Sequence, residues 1–159
     1  MKFMRIGCLL FLSFILCGCV SSNSSKQIRF ALASARGDTS LVKEFVKDGN
    51  VDINAVNGKI GPALVSASYG GHNEVVKLLL NNQADIDIRD EKGTTALMNA
   101  IIGEKVETVK LLLERGADPN IVFVNENGEK TEITAITFAK LKQNKEIIDL
   151  IERVSLQNQ

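Results

Sequence analysis

The most reactive side chains of this 159-residue chain are three thiols, and Cys8, Cys17 and Cys19 all lie in its first nineteen positions. A cysteine can act as a nucleophile, bind a metal, or form a disulfide or thioether. No cysteine follows Cys19, so the remaining 140 residues have no thiol for any of these reactions. A thiol-free domain suits an oxidising compartment, where a stray cysteine would form wrong disulfides.

The segment around these cysteines has the order of a secretory signal. Lys2 and Arg5 precede an uncharged, largely apolar run from Ile6 to Gly18, and small residues end that run. As a helix, these thirteen residues would reach about 20 Å, which is short of the roughly 30 Å hydrocarbon layer of a bilayer. The pattern therefore predicts a signal peptide over residues 1–18, and it disfavours a membrane-spanning helix that stays in place.

The end of this segment, Leu16-Cys17-Gly18-Cys19, resembles the lipobox of bacterial lipoproteins. The resemblance implies cleavage after Gly18, a diacylglyceryl thioether on Cys19 and acylation (such as palmitate) of the new amino group. Val20 after the cysteine implies the outer membrane of a two-membrane bacterium, facing the periplasm. Several acyl chains on one residue make the attachment permanent, because each buried methylene contributes about 0.8 kcal/mol.

The rest of the chain offers little for catalysis or for nucleic acid. His72 is the only histidine, so Ser-His-Asp and Cys-His sites and His/Cys zinc sites lack the residues that they need. No phosphate-binding Gly-rich loop occurs, and the acidic stretch from Asp85 lacks the Gly and Glu of a calcium loop. Loss of Lys2 and Arg5 leaves 17 basic against 19 acidic residues, a net charge of −2. We therefore expect no catalytic residues, no metal, no cofactor, no small-molecule substrate and no nucleic acid.

An internal repeat organises the chain after the signal. The stretch "NEVVKLLL" at 73–80 is followed 33 residues later by "VETVKLLL" at 106–113, and Ala84-Asp85 recurs as Ala117-Asp118 at the same offset. Matching residues lie 34 positions upstream and, after a connection six residues longer, 39 positions downstream. Such apolar helix pairs cannot bury their own surface, so neighbouring units must stack.

The third unit, "DEKGTTALMNAIIGEKVETVKLLLERGADPNI", resembles the ankyrin repeat. The resemblance implies an all-α ankyrin-repeat solenoid of about four helix-turn-helix repeats, near 26–56, 57–89, 90–122 and 123–155. A flexible polar tether over 19–25 would join the lipid to this domain, and 156–159 would form a tail. Val122–Val124 and Glu132–Thr134 are predicted to pair as a short β-hairpin around Asn127-Gly128, or to form a tolerated surface insertion.

Partner-binding residues follow from the same resemblance, which implies binding through the first helix of each unit and through the tips between units. One column consists of Ala35, Tyr69, Ile102 and Leu141, and the alternative for it is packing between repeats. Tyr69 is the only tyrosine, and an aromatic ring with a polar end is a good interface anchor. Further candidates are the tips Asn57, Lys59, Arg89, Glu91 and Lys92, and Phe123 and Asn127 in the long connection.

Together these features predict a lipid-anchored, non-catalytic adaptor or scaffold that mediates protein–protein interaction in the bacterial cell envelope. The alternative in the same class is a periplasmic immunity or inhibitor protein that neutralises a toxin or hydrolase. A third hypothesis, from another class, is an envelope hydrolase whose site has no recognisable motif.

Overall fold

A computed structural model of the chain describes residues 24–56, 60–124, 127–129 and 131–157. The predicted signal, the lipobox and Cys19 lie outside the described residues, as do the tips Asn57 and Lys59. Eight helices form within the described ranges: α1 over 24–36, α2 (Thr39–Asp48), α3 (Ala63–Gly70), α4 (Asn73–Asn81), α5 (Ala96–Ile102), α6 (Val106–Glu114), α7 (Ala135–Lys142) and α8 (Lys145–Gln157).

The helices stack in two rows. In the inner row α3 packs on α5 and α5 on α7, and in the outer row α2, α4, α6 and α8 pack in order. Within a repeat, α3 contacts α4, α5 contacts α6 and α7 contacts α8. Each repeat therefore touches mainly its neighbours, which confirms the predicted all-α solenoid.

Small side chains bring the inner helices close together. Ala63 and Ala67 of α3, Ala96 and Ala100 of α5, and Ala135 and Ala139 of α7 are all buried. Larger fully buried side chains come from both rows, among them Leu64 and Ile101 of the inner helices and Leu79 and Leu112 of the outer helices. Burying one such side chain contributes about 1.5–3 kcal/mol, so most of the stability lies between the two rows.

The turn inside each repeat requires a left-handed backbone. Gly37 and Gly71 have φ of 75° and 78°, in the left-handed region that glycine adopts without strain. The third and fourth repeats keep the same geometry with side chains present, since Glu104 and Gln143 both have φ of 56°. The turn is thus conserved in shape although glycine is lost, and non-glycine residues there carry a strain.

Side-chain hydrogen bonds join the tips of successive repeats. Asn54 Oδ1 accepts from the Asp85 N–H at 2.9 Å, and Asp87 Oδ1 accepts from the Asp118 N–H at 3.1 Å. At the start of the array, Gln27 accepts from the Asp52 N–H and donates to its carbonyl. These bonds fix the register between neighbouring repeats on the side that carries the tips.

The long connection before α7 does not form the predicted hairpin strands within the described residues. Pairing amounts to an isolated bridge at Val124 and to Phe123, which donates to Ile133 O at 2.6 Å and accepts from the Thr131 N–H at 3.0 Å. It stops there because Thr134, directly after Ile133, is already the N-cap of α7. The Phe123 ring packs edge-to-face on Phe138 with centroids 6.0 Å apart, so the connection is built into the fold as a packed segment.

Two predicted boundaries shift. Helix α1 already includes residues 24 and 25, which the sequence assigned to the tether, and α8 runs to Gln157, into the predicted tail. The first turn of α1 is held by a Lys26–Asp48 ion pair of 3.2 Å and by the Gln27 bonds to Asp52. Among the helices of the described ranges, none combines the length and the apolar character needed to cross a bilayer.

Candidate functional site

The predicted column lies near the C-terminal ends of the inner helices. Tyr69 of α3 is 55% exposed and Leu141 of α7 is 71% exposed, while Ile102 of α5 and Ala35 of α1 are partly buried. Tyr69, Ile102 and Leu141 are absent from the apolar core, which consists of their helical neighbours. Packing between repeats therefore does not account for the exposed side chains of Tyr69 and Leu141.

A groove of about 980 Å³ lies along the inner helices of the first three repeats. Five predicted residues line it: Ala35, Tyr69, Glu91, Lys92 and Ile102. Other lining residues were not predicted from the sequence, among them Ile60, Val65, Ser66, Asp90, Thr94 and Asn99. The repeat offset could have identified two of these residues, Ser66 and Asn99. They are 33 positions apart, and they precede Tyr69 and Ile102 by one helical turn.

One wall of the groove is fixed by a hydrogen-bonded turn at the tip of the third repeat. Asp90 Oδ1 accepts from the N–H groups of Lys92 (3.0 Å) and Thr94 (2.8 Å), and its Oδ2 accepts from the Thr94 hydroxyl at 2.8 Å. The next residue along the wall is Asn99, whose Nδ2 donates to Thr94 Oγ1 at 2.6 Å. The turn and α5 thereby hold each other in place.

The start of α5 explains why this wall is rigid. Thr95 is its N-cap, with a side chain that accepts from the Met98 N–H at 3.3 Å. Asn99 Nδ2 also donates to the Thr95 carbonyl at 3.0 Å. The Asn99 amide is therefore held at both hydrogens and keeps one orientation.

The opposite wall comes from α3. Ser66 Oγ donates to the Ile60 carbonyl at 2.5 Å, which ties the helix to the segment before it. Val65 is buried beneath this wall, and Tyr69, one helical turn further on, is exposed. The groove thus has a rigid polar wall on α5 and an exposed aromatic ring on α3.

The other predicted partner-binding residues lie outside the groove lining. Arg89 donates from Nη1 to the carbonyls of Gly93 (3.2 Å) and Val122 (2.8 Å), so its guanidinium joins the tip to the long connection. Phe123 is partly buried against Phe138, and Asn127 is exposed in the connection. Leu141 continues the column beyond the groove.

His72 has a structural position. Its Nε2 donates to the Ala35 carbonyl at 3.1 Å, and its ring lies where a Cβ on Gly37 would fall. The side chain thus joins the first two repeats. Within the described ranges, no three His, Cys, Asp or Glu side chains are grouped as a metal ion would require.

Among the described residues, two carboxyl groups have clearly shifted pKa values, and neither lines the groove. Hydrogen bonds from Asn50 and Lys26 lower the pKa of Asp48. Burial raises the pKa of Asp87, and the charges of Asp118 and Asp85 add to this, against a hydrogen bond from Asp118 and the charge of Arg89. Both pKa shifts occur in carboxyl groups whose hydrogen bonds hold helix ends and tips together.

Comparison with known proteins agrees with the repeat geometry. A family model described as ankyrin repeats, in three copies, matches residues 30–123, more than half of the chain. The matched range spans the three repeats that line the groove. A search of curated proteins found no match to the chain.

Proposed function

Because the chain belongs to the ankyrin-repeat family, which serves protein–protein interaction, we propose that it is a non-catalytic adaptor that binds a protein partner in the groove on its inner helices. The observation that carries this proposal is the exposure of Tyr69 beside a preformed groove. An aromatic side chain next to a rigid concave wall is a favourable anchor, because little side-chain entropy is lost on binding.

The distribution of bonded residues supports this location. The outer row and several tip residues form the packing and the hydrogen bonds between repeats, whereas within the described residues the exposed side chains of Tyr69 and Glu91 have no part in either. Substitutions that change partner binding can therefore occur at these positions without lowering the stability of the repeat array.

We extend the proposal to an anchor at Cys19. It is supported by the apolar run that ends at Leu16-Cys17-Gly18-Cys19 and by the first helix, which is already formed at residue 24. Only four residues separate Cys19 from that helix. A lipid on Cys19 would thus hold the domain within about 15 Å of the membrane surface, since an extended chain spans about 3.5 Å per residue.

Site-specific photocross-linking in the producing cell tests the partner. A photoreactive amino acid at Tyr69 should give a discrete adduct with another protein, and one at Glu107, exposed on α6 in the outer row, should not. Adducts of equal yield at both positions, or none at Tyr69 and Ile102, would reject the groove as the binding face.

The anchor has a separate test. Intact mass of the membrane-extracted protein should correspond to a chain that begins at Cys19 with diacylglyceryl and acyl groups attached, and Cys19→Ala should abolish that product. An unmodified N-terminus on the membrane-bound protein would overturn the anchor and leave partner binding unaffected.

A further inference from the structure

The groove wall on α5 offers a hydrogen-bond acceptor of fixed orientation. The Thr94 hydroxyl hydrogen is used on Asp90, so Thr94 Oγ1 can only accept from Asn99, and the Thr95 carbonyl also only accepts. Both partners therefore require the nitrogen end of the Asn99 amide. Within the described residues Oδ1 has no hydrogen-bond partner, and Asn99 is partly exposed in the groove lining.

The remaining polar groups of the groove also favour a donor. Ser66 uses its hydrogen on the Ile60 carbonyl, which leaves oxygen lone pairs. Asp90 and Glu91 bring two carboxylates, and Lys92 is the one cation among the described lining residues, so the lining has a net charge of −1. Tyr69 adds an exposed aromatic face, which attracts cations.

From these acceptors, carboxylates and the exposed ring, we propose that the groove selects a protein segment with an arginine or lysine side chain next to apolar residues. The cation lies between the Tyr69 ring and the carboxylate of Glu91 and donates to Asn99 Oδ1, and its apolar neighbours cover Ile102. This inference rests on the proposed protein-binding function and adds the chemistry of the partner.

An acidic segment is disfavoured by the same groups. It would bring a carboxylate towards Asp90 and Glu91, and that carboxylate has no hydrogen to donate to Asn99 Oδ1. A purely apolar segment would cover Oδ1 without replacing its bonds to water, which costs binding affinity.

The test compares two small probes of one shape, N-acetyl-arginine methylamide and its citrulline counterpart, in which a neutral ureido group replaces the guanidinium. Each is titrated into the ¹⁵N-labelled full chain and followed by two-dimensional NMR. We expect the arginine probe to shift the amide signals of Ser66, Tyr69, Asn99 and Ile102 with a Kd of about 1 mM, a range typical of so small a ligand. The citrulline probe should bind about fivefold or more weakly.

Two variants assign the recognition to the groove. Glu91→Gln and Tyr69→Leu should each weaken the arginine probe severalfold, whereas Glu107→Gln, the removal of an exposed carboxylate on the outer row, should leave its Kd unchanged. All three are exposed positions, so a native spectrum is expected for each variant.

Equal affinity for the two probes overturns the inference, as does tighter binding of N-acetyl-glutamate methylamide or unaltered binding to both groove variants. Failure of every probe to bind at tens of millimolar also overturns it. Cross-linking at Tyr69 still decides separately whether a protein occupies the groove.

Discussion

Asp87 marks a place where one repeat junction differs from its neighbour, and the difference predicts a stabilising substitution. At the first junction, Asn54 accepts from the Asp85 N–H through Oδ1 and donates from Nδ2 to the Gln83 carbonyl at 3.5 Å. Asp87, 33 residues later, keeps the accepting bond to Asp118 but, as a carboxylate, has no hydrogen to donate. The carbonyl equivalent to that of Gln83 is on Gly116.

We expect Asp87→Asn to stabilise the folded chain at pH 7. The variant removes a partly buried carboxylate that lies near Asp85 and Asp118, and its amide can reach the Gly116 carbonyl. The gained bond is long and the site is open to solvent, so the gain should be about 0.5–1 kcal/mol in the free energy of unfolding. For a domain of this size the Tm should rise by about 3 °C.

The gain should depend on pH because burial raises the pKa of Asp87 above its ordinary value of 3.8. Between that value and the raised pKa, the folded state holds more protons than the unfolded state, and stability falls as pH rises. The penalty is complete above the folded pKa and absent below 3.8. The advantage of Asp87→Asn should therefore be largest near neutral pH and shrink on acidification.

Urea denaturation of the wild-type chain and the variant at several pH values between 4 and 7 measures this effect. The matched control is the reciprocal change, Asn54→Asp, which should destabilise the first junction at pH 7 and recover part of the loss in acid. The reasoning is refuted if Asp87→Asn lowers stability at pH 7, or if its gain is the same at every pH while Asn54→Asp is neutral.

Three further substitutions test the turns and the long connection. In Gly93→Ala, at φ of 79°, the new Cβ would overlap the Val124 carbonyl oxygen, whereas in Gly49→Ala, at φ of 68°, it meets nothing within 4 Å. Gly93→Ala should therefore lower the free energy of unfolding, measured by urea denaturation, by about 2 kcal/mol more than Gly49→Ala. Equal losses would contradict the packing of the connection. Gln143→Gly should add about 0.5–1 kcal/mol of stability by relieving the left-handed backbone at φ of 56°, and a loss would show that the side chain contributes more than the strain. Arg89→Met should cost about 1–2 kcal/mol through the lost bonds to Gly93 and Val122 but leave cross-linking at Tyr69 intact; loss of the adduct would instead support Arg89 as a partner contact.

The repeat offset predicted the helices because it records a packing requirement. Residues such as Val76 and Val109, 33 positions apart, are both fully buried for the same reason, that each must contact the next repeat. For Tyr69 and Leu141 the sequence left partner binding and packing between repeats open. Both side chains are exposed, because their neighbours in the helix fill the core positions. The repeat period thus predicts the part of the structure that every repeat shares.

Features that belong to one repeat could not be predicted from the repeat pattern. Arg89 was predicted at an exposed tip, but its guanidinium bonds to the Val122 carbonyl, a contact that depends on how the long connection folds back. The Asp90–Thr94–Asn99 bonds were missed because, among the described residues, they occur in the third repeat alone. Such contacts follow from local geometry, which the spacing of residue types does not specify.

The separation of shared and individual features explains how one array can be both stable and selective. The bonds that hold the repeats together lie in the outer row, in the cores of the helix pairs and at the tips, and they recur along the chain. The Asp90–Thr94–Asn99 bonds fix one acceptor within a single repeat, so orienting it on binding costs no entropy. Among the described residues, the side chains of Tyr69 on the opposite wall and of Glu91, next to Asp90, contribute to neither set. A change at these two positions can therefore alter the chemistry of the bound segment while the free energy of unfolding stays the same. A variant at either position that loses both partner binding and stability would show that the groove and the array are coupled.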